Sequence, residues 1–195
     1  MWKGKKQLLW LLAVLLVVTS CRLDLGERSA GASGSGASGD WLALSSKDEE
    51  LAISAPRNWR VSEQAGSAIS LKAVGGCTLD IELAPESKKA GLSQTDVLGL
   101  MLDKALAEQT GRGQEIEAVG KRVWMGQHYI WHELHYIVSG GGRASYYIDF
   151  VAYPNNNETL KARYICPGKN PPEEEEADLL QGVIDTVQAH APKEA

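Results

Sequence analysis

The feature that most limits the fold is a strict two-residue alternation. In residues 77–83, Cys77, Leu79, Ile81 and Leu83 occupy one phase, and Thr78, Asp80 and Glu82 the other. In 144–153 the even positions Tyr146, Ile148, Phe150 and Ala152 alternate with Asp149 opposite, and in 159–166 Leu160, Ala162, Tyr164 and Cys166 share a face. Side chains of a strand point alternately to its two faces, so each stretch has one apolar face and reads as a half-buried antiparallel strand.

Other elements follow from turn and cap signals. Residues 41–44 and 50–54 read as short strands around a polar turn, and Pro56, which lacks a ladder donor, ends the second. A further strand is expected at 68–74, closed by Gly75-Gly76. Ser93-x-x-Asp96 forms a capping box for a helix over 93–109, with Gly111 as its stop. Val97, Leu98, Met101, Leu102 and Ala105 make its apolar stripe. Strands then read at 115–119, 122–125, 128–138, 144–153 and 159–166. Pro171-Pro172 and four glutamates, Glu173 to Glu176, open a last helix where its dipole favours negative charge. Leu179, Leu180, Val183, Ile184 and Val187 give it an apolar face. The expected fold is α+β: an antiparallel sheet with a mid-chain helix and a C-terminal helix packed on it, one domain over residues 41–190 and a short tail at 191–195.

The start of the chain carries a different message. A basic stub with Lys3, Lys5 and Lys6 precedes 11 apolar residues, 8–18, and then Val18-Thr19-Ser20-Cys21. This is the layout of a secretory signal, and the run is shorter than the roughly 20 apolar residues that span a bilayer. The residues at the cut resemble the lipobox of bacterial lipoproteins, with Val18 where Leu is more usual. That resemblance implies removal of residues 1–20 and acylation of Cys21, which anchors the chain in a lipid bilayer. Residues 21–40 then form a tether: Gly26 to Gly39 contains no large apolar residue and has an r.m.s. reach of about 25 Å. Arg22 instead of Asp after the lipidated cysteine favours the periplasmic face of the outer membrane in a Gram-negative cell.

The leader takes three of the 20 basic residues and none of the 25 acidic ones, leaving a formal charge of −8 on the remainder. Such a surface offers no electrostatic footprint to nucleic acid. It is also repelled by anionic headgroups, so attachment has to come from acyl chains. Cys77 and Cys166 both lie in the apolar phase of their strands, in a protein bound for a compartment where disulfides form. They are a bridge between strands or two buried thiols; a bridge would contribute about 4–5 kcal/mol in the chain-entropy view.

The order of elements, together with Ile53-Ser54-Ala55-Pro56-Arg57-Asn58-Trp59, resembles the PsbP/Mog/DcrB superfamily, in which an early strand feeds an x-Pro-x-x-Trp turn. The resemblance covers about residues 41–190. Family members often carry Gly before the Trp; here Asn58 stands there, a residue that also tolerates the left-handed region. The resemblance implies a sandwich used as a binding or scaffold module and transfers no catalytic residue. Members include a photosystem II extrinsic subunit, a Ran-binding protein, effector chaperones and envelope lipoproteins.

Few residues invite chemistry. His128, His132, Glu133 and His135 cluster in sequence, and on a helix His128 and His132 would share a face. On a strand, positions i and i+4 lie about 13 Å apart, far beyond the span of one zinc ion's ligands at about 2.1 Å each. A ligand- or metal-binding strand at 128–135 is therefore the alternative to a protein-binding role. No nucleophile elbow, Ser-x-x-Lys pair or phosphate-cradling glycine loop is present. A hydrolase with dispersed site residues is the least favoured reading. The expectation is thus a non-enzymatic module with no cofactor, no metal and no catalytic residue, anchored through Cys21 and binding a protein partner. Trp59, Trp131, Tyr147 and Tyr153 are the candidate binding surface, because aromatic side chains are enriched at interfaces.

Overall fold

The computed structural model describes residues 40–86 and 91–189; Cys21, the 1–20 leader, the tether up to residue 39, His190 and the 191–195 tail lie outside them. The described chain begins with a hairpin of β1 (Trp41–Ser45) and β2 (Leu51–Pro56). A second hairpin follows, β3 (Arg60–Ala65) and β4 (Ala68–Lys72), and then β5 (Thr78–Ala84). Helix α1 (Gln94–Thr110) leads to a meander of β6 (Glu115–Met125), β7 (Ile130–Gly140), β8 (Arg143–Ala152) and β9 (Thr159–Pro167). Helix α2 (Glu174–Asp185) and the short β10 (Gln188–Ala189) close it.

Two antiparallel sheets result. The larger has the order β3-β4-β5-β9-β8-β7-β6, and the smaller β1-β2-β10. Chain order and space order agree except where β9 inserts beside β5, pairing Leu79 with Tyr164 and Ile81 with Ala162. Register carries one face across the sheet: Tyr164 pairs with Ile148, and Ile148 with His135. That face packs against Leu51 and Ile53 of β2 and Leu180, Val183 and Ile184 of α2 in the main core. The opposite face of β7 presents Leu134, Tyr136 and Val138, which meet Val97, Leu98, Met101 and Ala105 of α1 in a second core. The large sheet is thus the middle of three layers, with α2 and the small sheet on one side and α1 on the other.

The local structure explains several differences from the sequence reading. Residues 60–65 form a strand, β3, that the sequence did not announce, because all six of its residues are exposed and show no apolar alternation. The expected strands at 115–119 and 122–125 are one strand, β6, whose register shifts between Ala118 and Gly120. A bulge there moves the alternation by one residue and mimics a break. His128 is not on β7 but in the β6–β7 turn, which is closed by the Gly126 amide donating to the Tyr129 carbonyl at 2.8 Å. The expected strands at 41–44 and 50–54 form the β1–β2 hairpin, but it belongs to a separate small sheet completed by β10, whose two residues left no readable pattern.

The Pro–Trp turn has a clear packing role. The Trp59 amide donates to the Pro56 carbonyl at 3.0 Å, turning the indole inward to stack on Tyr164 with ring centroids 6.3 Å apart. Asn58 does not use the left-handed region; among the described non-glycine residues only Glu49 does, at φ 63°. Cys77 and Cys166 are bridged, with sulfurs 2.09 Å apart, and join the chain just before β5 to β9.

Candidate functional site

A simple mismatch of widths creates the site. Seven strands spaced about 4.8 Å apart make a sheet roughly 30 Å wide, whereas one helix is about 10 Å across. Helix α1 packs on β6 and β7, so among the described residues no helix lies over the same face of β9, β5 and β4 beside it. The space between helix and strands is a cleft of about 670 Å³.

One wall is α1. Its start is fixed by Ser93, whose hydroxyl accepts the Asp96 amide at 3.2 Å while the Asp96 carboxylate accepts the Ser93 amide at 2.9 Å. The Ser93 hydroxyl also donates to the Asp96 carboxylate at 2.7 Å, and this bond first, with the one from the Ser93 amide second, draws the Asp96 pKa below the usual aspartate range. The helix then offers Leu100 and Lys104 to the cleft above the more buried Val97 and Met101.

The floor is charged, and its charges are ordered. Arg163 of β9 donates from Nε to Asp149 Oδ1 at 2.8 Å and from an Nη to Asp149 Oδ2 at 3.0 Å. Its other Nη reaches Glu108 of α1 at 3.1 Å, which fastens the helix to the sheet. The bidentate bond to Asp149 raises the Arg163 pKa further, so its charge is permanent. Tyr136 donates its hydroxyl to Asp149 at 3.0 Å; burial first, and the Asp149 charge second, push that phenol well above its usual value. Next along β9, Lys161 pairs with Glu86 and lies 3.9 Å from Glu82. Tyr153 closes one end, its phenol raised by burial and by the nearby Glu86.

The expected aromatic surface divides in two. Trp59 is 5% exposed and Trp131 1%, both inside the main core, so neither presents a surface. The alternation that places 131, 133 and 135 together points them to the covered side of β7. Tyr147 and Tyr153 lie on the other side. Tyr147 is half-buried and stacks on Tyr136 with centroids 5.0 Å apart, and Tyr153 lines the cleft. Sequence reasoning missed the acids and lysines of the cleft; their signal was the polar phase of β5 and β9, which reads equally well as solvent-facing strand.

The histidines do not converge. His128 meets Gln188 at 2.8 Å, His132 meets the Val151 carbonyl at 3.3 Å, and His135 meets Tyr146 at 3.0 Å and, on its other ring nitrogen, Glu133. Glu133 is buried against the main core and accepts from Arg122 Nε at 2.7 Å and Trp124 Nε1 at 2.9 Å. Burial alone would raise its carboxyl, but the bonds from His135 and Arg122 outweigh that and hold it below the usual glutamate range. This arrangement satisfies a buried charge and exposes no free base. Among the described residues, the one group with metal-ligand spacing is Cys77, Cys166 and Glu176. Its sulfurs are bonded to each other, so they are not the thiolates a metal would need.

Comparison with known proteins shows the fold. No family model matches the chain, and no curated protein matches it in sequence. Cyanobacterial PsbP (CyanoP) of Synechocystis sp. PCC 6803 superposes with a TM-score of 0.55 at 12% identity, over 83% of this chain and 99% of that one. The Ran-binding protein Mog1p of Saccharomyces cerevisiae gives 0.54 at 6% identity, over 77% and 95%. A protein of Bacteroides thetaiotaomicron VPI-5482 gives 0.51 at 11% identity over 80% of this chain; the match spans only half of that longer protein. The domain therefore has the PsbP/Mog-like fold, an α+β sandwich of two antiparallel sheets and two helices.

Proposed function

We propose that this chain is a lipid-anchored protein of the bacterial envelope whose α+β domain is a non-catalytic protein-binding module. Residues 1–20 are its cleaved signal, Cys21 its acylated anchor, 21–40 its tether and 41–190 the binding domain. The observation that carries the binding role is the cleft beside α1, a concave surface between the helix and the seven-stranded sheet. Mog1p, which shares the fold, is a Ran-binding protein, and its case supports a protein partner here as well. Among the described residues no helix is long and apolar enough to cross a membrane; in this reading acylated Cys21 supplies the attachment. The tether confines the domain to a thin shell near the membrane and raises its effective concentration toward membrane complexes there.

The test is crosslinking of the tagged full-length protein in intact cells beside Cys21→Ala. A dominant protein partner, captured by the wild type and lost from the unanchored variant, is the expected outcome. Recovery of uncrosslinked monomer alone from both would sink the proposal. Metabolic labelling with palmitate tests the anchor separately: label on the wild type and none on Cys21→Ala is expected.

A further inference from the structure

We infer that the occupant of the cleft is a cationic, amphipathic segment of a protein, with lysine or arginine on one side and apolar residues on the other. This rests on the domain being a binding module and adds the chemistry of what it binds. Five carboxylates line the cleft, those of Asp80, Glu82, Glu86, Glu108 and Asp149, against three cations, Lys104, Lys161 and Arg163. Two of the cations are already committed: Arg163 to Asp149 and Glu108, and Lys161 to Glu86. The remaining acid lies on the strand side, where Asp80 and Glu82 of β5 are exposed; Glu82 lies 3.9 Å from Lys161, which it shares with Glu86. Facing them across the cleft is an apolar rim on α1, with Leu100 at 41% exposure.

Other occupants fit less well. The cleft has the volume and the largely apolar lining of a small-molecule pocket, but eight of its 20 lining residues are charged, more than the few placed polar groups such a pocket uses. An anionic membrane surface has the wrong sign for an acidic wall. A second copy has it too, since the chain without its leader carries a formal charge of −8. A basic segment is drawn in by the field of the whole acidic domain and can then lay apolar side chains on Leu100 and Tyr153. Between Val97 and Glu108 the α1 wall runs about 17 Å at 1.5 Å per residue, the length of roughly five extended residues.

The test uses the full-length protein in phosphatidylcholine nanodiscs as bait for phage-displayed random 12-residue peptides, with empty discs to remove lipid binders. Enriched peptides are then titrated by fluorescence anisotropy against the wild type, Asp80→Lys, Leu100→Lys and, as a control on the other side of the sheet, Asp178→Lys on the exposed face of α2. The expected peptides combine net positive charge with apolar residues. Their binding weakens about tenfold in each cleft variant and holds in the control. It also weakens as salt shortens the Debye length from about 10 to 3 Å. Acidic or uncharged peptides that still depend on Leu100 would overturn the cationic occupant and leave the binding module standing. Peptides indifferent to both cleft variants, or none enriched at all, would overturn the cleft as the docking site; the cell crosslinking result judges the module itself.

Discussion

Glu133 lies on the covered face of β7 with 2% of its side chain exposed, held by bonds from Arg122, Trp124 and His135. Its lowered pKa gives the stability a direction in pH. A carboxylate depressed on folding adds stability that is fully present above its ordinary value of 4.5 and is lost as pH falls through the lower folded value. Glu133→Gln removes that dependence and leaves Arg122 without its anion, costing about 2 kcal/mol at neutral pH. Thermal melts from pH 7 downward check this: the wild type should lose more stability than the variant on acidification below about pH 4.5. Parallel profiles would remove Glu133 from the acid response. Gly126 shows the same tight fit beside it. A Cβ there would lie 2.8 Å from Asp185 Oδ1 and 2.9 Å from the Trp131 ring, so the β6–β7 turn can approach α2 only with a glycine at this position.

At the scale of the element, α1 depends on two different attachments. Its apolar stripe seats it on β7, and the Arg163–Glu108 pair ties it to β9. Arg163→Met keeps length and apolar bulk but removes the tie, leaving the Asp149 carboxylate, which still accepts from the Tyr136 hydroxyl, without its cation. A loss of about 2–3 kcal/mol is expected, near the cost of breaking a mostly buried charged hydrogen bond. Hydrogen exchange locates the effect: amides of α1 should exchange faster while those of β5 and β9 keep their protection. Equal acceleration in all three would show that Arg163 supports the sheet and not the helix. The same pair joins β9 to α1 across the cleft and so helps set the spacing of its two walls.

For the whole molecule, the Cys77–Cys166 bridge joins positions 89 residues apart and so constrains most of the unfolded domain. In the chain-entropy view its loss costs about 4–5 kcal/mol. Guanidinium unfolding of the Cys77→Ala, Cys166→Ala double variant should show a lower midpoint by that measure, and an unchanged midpoint would leave the bridge without a stabilising role. Sequence alone determined the strands with one apolar face, because period-two alternation reports burial directly: the apolar phases of 77–83, 144–153 and 159–166 all line the main core. It also determined α1, through Ser93, Asp96 and the stripe from Val97 to Ala105. It could not determine β3, whose residues are all exposed, nor β10, which is two residues long. Nor could it separate Trp131 in the core from Tyr153 in the cleft, since a strand between two layers has partners on both faces. Only the tertiary structure decided which face α1 covers and how far across it reaches. The cleft exists because one helix is narrower than seven strands, a relation between elements distant in sequence that no local pattern records.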